Sequence, residues 1–200
     1  MKKNDVLSPL VIGEVCALIF LGISRFLELP ETILKISKLF PVILPILSLA
    51  GVYIASILGE KSKTLFQFAK SGLSGVLNTF IDLGVLNLLM WGFNIASGMP
   101  FSIFKSISFG VATVNSYFWA KYWVFEKTET KPSIKEFFQF SSVAVGGFLI
   151  HIIISGLIVN IIGPKFGIEE KLWANIGAIV AICIGFSWTF FGYKMIVFKK

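Results

Sequence analysis

Six apolar runs, each about as long as a bilayer's hydrocarbon core is thick, constrain this chain before any other feature. They extend over Leu7–Leu29, about Pro41–Leu58, Phe66–Phe93, Phe101–Phe125, Phe137–Ile162 and Leu172–Phe198. A crossing helix takes roughly 20 residues, and a backbone in lipid must satisfy its own polar groups, so each run is expected to be an α-helix. The composition agrees: 56% of the 200 residues are hydrophobic and only 14% charged, with mean hydropathy +0.84, where a soluble domain carries about a quarter charged residues. The expectation is an all-α polytopic membrane protein of six transmembrane helices. Six spans leave about 80 positions for loops and tails, too few for a soluble catalytic domain. No paired-carboxylate metal motif and no Gly-rich phosphate loop is present, so neither enzymatic activity nor a cofactor is expected.

The charged break Gly59-Glu60-Lys61-Ser62-Lys63-Thr64 divides the chain into an amino-terminal two-helix hairpin, residues 1–60, and a four-helix part, residues 61–200. A short amphipathic piece from Pro30 to Phe40 joins the two spans of the hairpin. Pro41 lies near a helix start, and Pro45 is expected to be absorbed as a kink.

In a soluble protein a net charge of +7 would suggest nucleic acid. Here the basic residues flank apolar runs and read as orientation signals, and no nucleic-acid partner is expected. With the amino terminus inside, Lys2, Lys3, Lys61, Lys63, Lys70, Lys121, Lys127, Lys131, Lys135, Lys194, Lys199 and Lys200 fall on the cytoplasmic side. Only Arg25, Lys35, Lys38, Lys105, Lys165 and Lys171 fall outside. That bias places both termini in the cytoplasm of a plasma-membrane protein. The opening segment resembles a signal peptide, but Glu14 interrupts its apolar part and further spans follow, so it is expected to remain as the first span. Cys16 and Cys183 lie within apolar runs, with no metal-ligand spacing.

An internal repeat runs through the last four spans. Phe66-Gln67-Phe68 opens the third and Phe138-Gln139-Phe140 the fifth, while Lys121-Tyr122-Trp123-Val124-Phe125 closes the fourth and Lys194-Met195-Ile196-Val197-Phe198 the sixth. The nearly constant spacing points to a duplicated two-helix unit whose copies share one orientation.

Each of these spans carries a small, polar face: Ser71, Ser74, Gly75, Asn78 and Asp82; Lys105, Ser108, Ala112, Asn115, Ser116 and Trp119; Ser141, Ala144, Gly147, His151 and Ser155; Asn175, Ala178, Gly185, Thr189 and Gly192. Small residues allow close helix packing and hydroxyls supply interhelical hydrogen bonds, which accounts for most of these positions. Asp82 is different, because an intramembrane carboxylate costs several kcal/mol unless paired or wetted. It either lines a polar cavity with Asn78 or forms an ion pair with Lys105. Lys105 and Lys121 stand about 24 Å apart along one helix, one near each face, where they can anchor to headgroups or hold a ligand's phosphate. His151 reads either as a packing residue or as a proton carrier.

The stretch from Phe66 to Phe198 resembles the GtrA-like family of small four-span membrane proteins. Ser74–Leu86, SGVLNTFIDLGVL, is similar to its Asn-Thr-x-x-Asp signature, and the two Lys-to-Phe endings are similar to its basic, aromatic, Val-Phe endings. Departures are Ser116 and Thr189 where the family often has Asn, and Met195-Ile196 in place of an aromatic pair. The resemblance implies work beside a polyprenyl-phosphate glycosyltransferase, moving an undecaprenyl-phosphate-linked monosaccharide to the outer leaflet for polysaccharide or teichoic acid glycosylation. By that resemblance Asn78 and Asp82 match the polar pair, and Lys121 and Lys194 the basic positions. The expected ligand-binding set is therefore Asn78, Asp82, Lys105, Asn115, Trp119, Lys121, His151 and Lys194. Phosphate would be captured by Lys121 or Lys194 and the sugar released near Lys105. Membrane lipids are the other expected partners, and small-residue faces would permit a homo-oligomer. Competing readings are a non-transporting scaffold for a glycosyltransferase, using Lys127, Lys131 and Lys135, and a small-molecule or cation exporter coupled through Glu14 or Asp82.

Overall fold

A computed structural model describes residues 2–24, 30–60, 62–95, 97–165, 167 and 170–199, apart from the side chains of 170–172, 174 and 175. Arg25, Lys61 and Lys200 of the orientation argument, and the side chains of Lys171 and Asn175, lie outside the described residues. Among the described residues the chain is all-α, with helices α1 (Lys3–Ser24), α2 (Glu31–Ser37), α3 (Phe40–Gly59), α4 (Lys63–Phe93), α5 (Gly98–Trp119), α6 (Ile134–Gly156) and α7 (Glu170–Gly192). Among the described residues five segments are long and apolar enough to cross a membrane: Lys3–Ser24, Phe40–Gly59, Lys63–Phe93, Ile134–Ile162 and Ile176–Val197. The protein is thus a multi-pass membrane protein. Helix α5 has a comparable length but carries Lys105, Asn115 and several serines, which lower its hydropathy.

Three helices continue into wider π-helical turns, Ala120–Val124 after α5, Leu157–Ile162 after α6 and Tyr193–Val197 after α7. Such turns are uncommon and gather at functional sites. The first and last of them lie 73 residues apart, on the two Lys-to-Phe endings.

The chain forms two compact units, residues 1–128 and 129–200. In the first, both helices of the amino-terminal hairpin pack against α4, which packs in turn against α5. Ile12, Cys16 and Ala17 of α1 are buried, and Gly13 admits α3 so closely that an added Cβ would sit 2.5 Å from the Pro45 backbone. Small residues let membrane helices approach in this way, and dispersion then replaces the hydrophobic drive that lipid cannot give. Pro45 lies inside a continuous helix, as does Pro9. Asn94 ends α4 in the left-handed conformation (φ 53°), which Asn tolerates better than most side chains.

In the second unit α6 packs on α7. A Cβ on Gly147 would meet Thr189 Cγ2 at 2.4 Å and one on Gly185 the Gly147 carbonyl at 3.0 Å, so the small faces of this pair do meet. Phe140 is buried and stacks on Tyr193 at 4.0 Å between ring centroids.

Candidate functional site

Helices α4 and α5 bring Asp82 and Lys105 into contact, as one of the two sequence alternatives required. The Lys105 ammonium donates to one Asp82 oxygen, and the buried Ser108 hydroxyl donates to the other at 2.6 Å. Three groups on facing helices thereby turn a costly isolated carboxylate into a neutral, hydrogen-bonded cluster. Lys105 keeps 43% of its side chain exposed against 20% for Asp82, so the cation is the more open partner.

One turn from Asp82, the Asn78 side-chain oxygen is buried with no hydrogen-bond partner, and on α5 the Asn115 side-chain nitrogen is in the same condition. A buried polar atom without a partner costs about 1–3 kcal/mol, and in folded proteins such atoms are rare enough to need an explanation. Here one helix offers an acceptor and its neighbour a donor. Not all of the polar face on α4 is turned inward: Ser74 is buried, but Gly75 is exposed.

The buried polar stripe of α4 instead extends back to Gln67 and Lys70, and it is here that sequence reasoning missed a cluster. Lys70, 1% exposed, donates to Asp5 Oδ1 at 2.9 Å and lies 3.5 Å from a Glu126 oxygen. The other Asp5 oxygen accepts the backbone N–H of Lys2 at 3.2 Å, and Lys2 Nζ pairs with Glu126 at 2.5 Å. The ammonium of Lys70 also lies 4.9 Å from the Phe66 ring and 5.4 Å from that of Trp123. Glu126 reaches this position from a left-handed backbone (φ 55°) just past the first π turn, where Lys127 N–H closes onto the Lys121 carbonyl at 2.8 Å. Burial pushes its carboxyl up, but the Lys2 hydrogen bond and the Lys70 and Lys2 charges outweigh burial and hold it below its ordinary range. The same hydrogen bond and charge raise Lys2 above its ordinary value. Helical spacing was the available signal: Gln67, Lys70, Ser74 and Leu77 recur on one face.

Of the remaining expected residues, Trp119 precedes the first π turn and meets Trp123 edge to face at 5.6 Å. Lys121, placed by the sequence at headgroup level, is fully buried, its ammonium 5.8 Å from the Tyr117 ring. In the second unit Lys194 is half-buried and lies 5.9 Å from the Phe190 ring. The two Lys-to-Phe endings therefore share a π turn and a lysine over an aromatic ring one turn earlier. His151 is half-buried on α6, at the level where α7 presents Gly185. Asp82 and Lys105 are in direct contact, Asn78 and Asn115 lie on the same helix pair, and His151 and Lys194 belong to the second unit. Among the described residues no group of His, Cys, Asp or Glu side chains could hold a metal ion.

Comparison with curated proteins and with solved structures gave no match. A family model described as "GtrA/DPMS, transmembrane domain" matches residues 70–198, a stretch that includes α4 from Lys70, α5, α6, α7 and both Lys-to-Phe endings. The chain therefore belongs to the GtrA/DPMS transmembrane-domain family.

Proposed function

We propose that this protein carries an undecaprenyl-phosphate-linked monosaccharide from the inner to the outer leaflet of the plasma membrane. The sugar then serves cell-surface polysaccharide or teichoic acid glycosylation. Membership of the family supports the lipid-linked sugar as ligand. The observation that carries the reading to this chain is the α4–α5 seam. Along it an ion pair, a serine, an unpartnered Asn78 side-chain oxygen and an unpartnered Asn115 side-chain nitrogen lie on a helix pair of a membrane protein.

The seam fits the task physically. A phosphosugar head cannot enter about 30 Å of hydrocarbon without replacements for its water. Asn78 offers an acceptor and Asn115 a donor to sugar hydroxyls, while the prenyl chain stays in lipid. Lys105, already the more open partner of Asp82, exchanges that carboxylate for the incoming phosphate and returns to it on release. The exchange keeps the lysine paired throughout, and the Ser108 hydroxyl stays on the carboxylate that the lysine leaves. Lys194 is the more open of the two terminal lysines for phosphate capture, since Lys121 is buried. Movement follows the gradient of lipid-linked sugar, and the protein itself is not an enzyme. A polyprenyl-phosphate glycosyltransferase supplies the cargo.

The same reading places six spans in the membrane, α5 included, with both termini cytoplasmic, and an amino-terminal hairpin of residues 1–60 added to a four-helix part of residues 61–200. The matched π turns and lysine–aromatic pairs support descent of α4–α5 and α6–α7 from one duplicated unit. Its test is reconstitution into vesicles with a short-chain polyprenyl-phosphate hexose in the outer leaflet. The protein is expected to bring the lipid out of reach of an external sugar-modifying enzyme faster than empty vesicles do. Equal rates, with a partner glycosyltransferase still dependent on the protein, would leave a scaffold instead.

A further inference from the structure

The family match begins at residue 70, so it leaves the first helix without a role. Yet the start of α1 forms one wall of a cleft whose other wall is the end of α5. Asn4 and Ser8, one turn apart on α1, face Phe118, Trp119, Tyr122 and Trp123 around a space of about 260 Å³. A second cleft of about 200 Å³ adjoins it, sharing Asn4, Tyr122 and Trp123 and adding Lys2, Asp5 and Glu126. Trp123, which lines both spaces, is 4% exposed, and its indole Nε1 is buried with no hydrogen-bond partner.

We propose that this cleft, completed by Asn4 and Ser8 of the amino-terminal hairpin, is where the protein reads the sugar of its lipid-linked cargo. The proposal rests on the carrier reading above and adds the part of the ligand recognised and the residues that recognise it. The chemistry of the walls selects a neutral polyol. The aromatic rings are arranged in two sets, Trp119 edge-on to Trp123 and Phe118 stacked with Tyr122 at 6.1 Å, and they offer flat apolar faces to the C–H faces of a pyranose. Asn4 and Ser8 supply donors and acceptors at helical spacing. Pockets that bind small polar molecules combine such walls with a few placed polar groups, and Trp and Tyr suit a site with one apolar and one wet side. An anion is a poor fit beside Asp5 and Glu126, whose carboxylates already engage the two lysines that contact them: Lys2 on Glu126, and Lys70 on Asp5 and Glu126. Phosphate is therefore held elsewhere, and the cleft distinguishes one sugar from another.

The test is equilibrium binding to the full chain in detergent micelles. Two probes are used: a short-chain polyprenyl-phosphate hexose, and the same polyprenyl phosphate without sugar. Wild type is compared with the Asn4→Ala/Ser8→Ala double variant. Asn4 is exposed and Ser8 half-buried, so the variant keeps its fold, and its affinity for the bare phosphate lipid reports that directly. Wild type is expected to prefer the hexose lipid, and the double variant to lose about ten-fold on it, as two missing hydrogen bonds imply, with bare-lipid affinity unchanged. Equal binding of both probes by wild type, or an unchanged double variant, overturns the sugar-reading cleft while the carrier reading survives. Failure of wild type to bind either lipid overturns both.

Discussion

Lys70 and Asp5, 65 positions apart in sequence, form a salt bridge of 2.9 Å in which both side chains are almost wholly buried. It ties the first turn of α1 to the buried face of α4, and so fastens the amino-terminal hairpin to the part of the chain that the family model covers. Removing one member of such a pair leaves an uncompensated buried charge, which costs about 3–5 kcal/mol. Lys70→Met is therefore expected to lower the thermal midpoint in micelles sharply, and adding Asp5→Asn to recover most of the loss. A Lys70→Met variant as stable as wild type would show that the pair does not fasten the hairpin.

The neighbouring Lys2–Glu126 pair gives a pH signature. Glu126 is held below its ordinary value of 4.5, so its contribution is complete above that value and is lost as pH falls through the lower, folded value. Lys2 is raised above its ordinary 10.5, so its contribution is complete below that value and is lost as pH rises through the higher one. The stability gap between wild type and Glu126→Gln should then be flat from about pH 5 to about pH 10, close as pH falls further and narrow as pH rises further. Lys2 is largely exposed, so the plateau is small and shrinks with salt. Thermal unfolding across that range checks it, and a gap that widened below pH 4.5 would have the wrong sign.

Gly13 and Gly22 lie on the same helix but meet different surroundings. A Cβ on Gly13 would press into the Pro45 backbone, whereas one on Gly22 meets nothing within 4 Å. Gly13→Ala is expected to cost about 1–3 kcal/mol through overpacking, while Gly22→Ala leaves stability unchanged or raises it slightly. Parallel melting curves of the two variants decide the matter, with equal effects counting against the close approach of α1 and α3.

Much of this architecture was legible in the sequence for a physical reason: a continuous apolar run of about 20 residues or more crosses lipid as a helix, so Phe66–Phe93 and Phe137–Ile162 had to be helical, and the observed α4 and α6 begin three residues earlier at Lys63 and Ile134. Asp82 and Lys105 could be seen as possible partners because both are charged residues within neighbouring runs, but the choice between pair and open cavity needed the side chains. Lys70 was misleading. Seven residues into its helix, it reads as an interfacial anchor, and its burial depends on Asp5 from a distant helix and on Glu126, whose left-handed backbone no apolar pattern announces. The π turns were equally hidden, since Ala120–Val124 and Tyr193–Val197 continue the same apolar periodicity. They shift the helical register, and with it the burial of Lys121.

The ion pair of the α4–α5 seam should be energetically coupled. A double-mutant cycle over Asp82→Ala and Lys105→Ala, read by unfolding in micelles, is expected to give a coupling of about 1–3 kcal/mol. Additive losses would mean that the two groups act independently.

Passage of lipid-linked sugar along this seam by exchange at Lys105, as proposed above, is open to a transport measurement on charge variants. Vesicles carrying wild type, Asp82→Ala, Lys105→Ala or the reversed pair Asp82→Lys/Lys105→Asp would be compared for translocation of a short-chain polyprenyl-phosphate hexose. Wild type is expected to move the lipid, both single variants to lose at least ten-fold in rate, and the reversed pair to regain stability but not transport, because its lysine now sits on α4. Full transport by Lys105→Ala would show that the lipid crosses without exchange at Lys105.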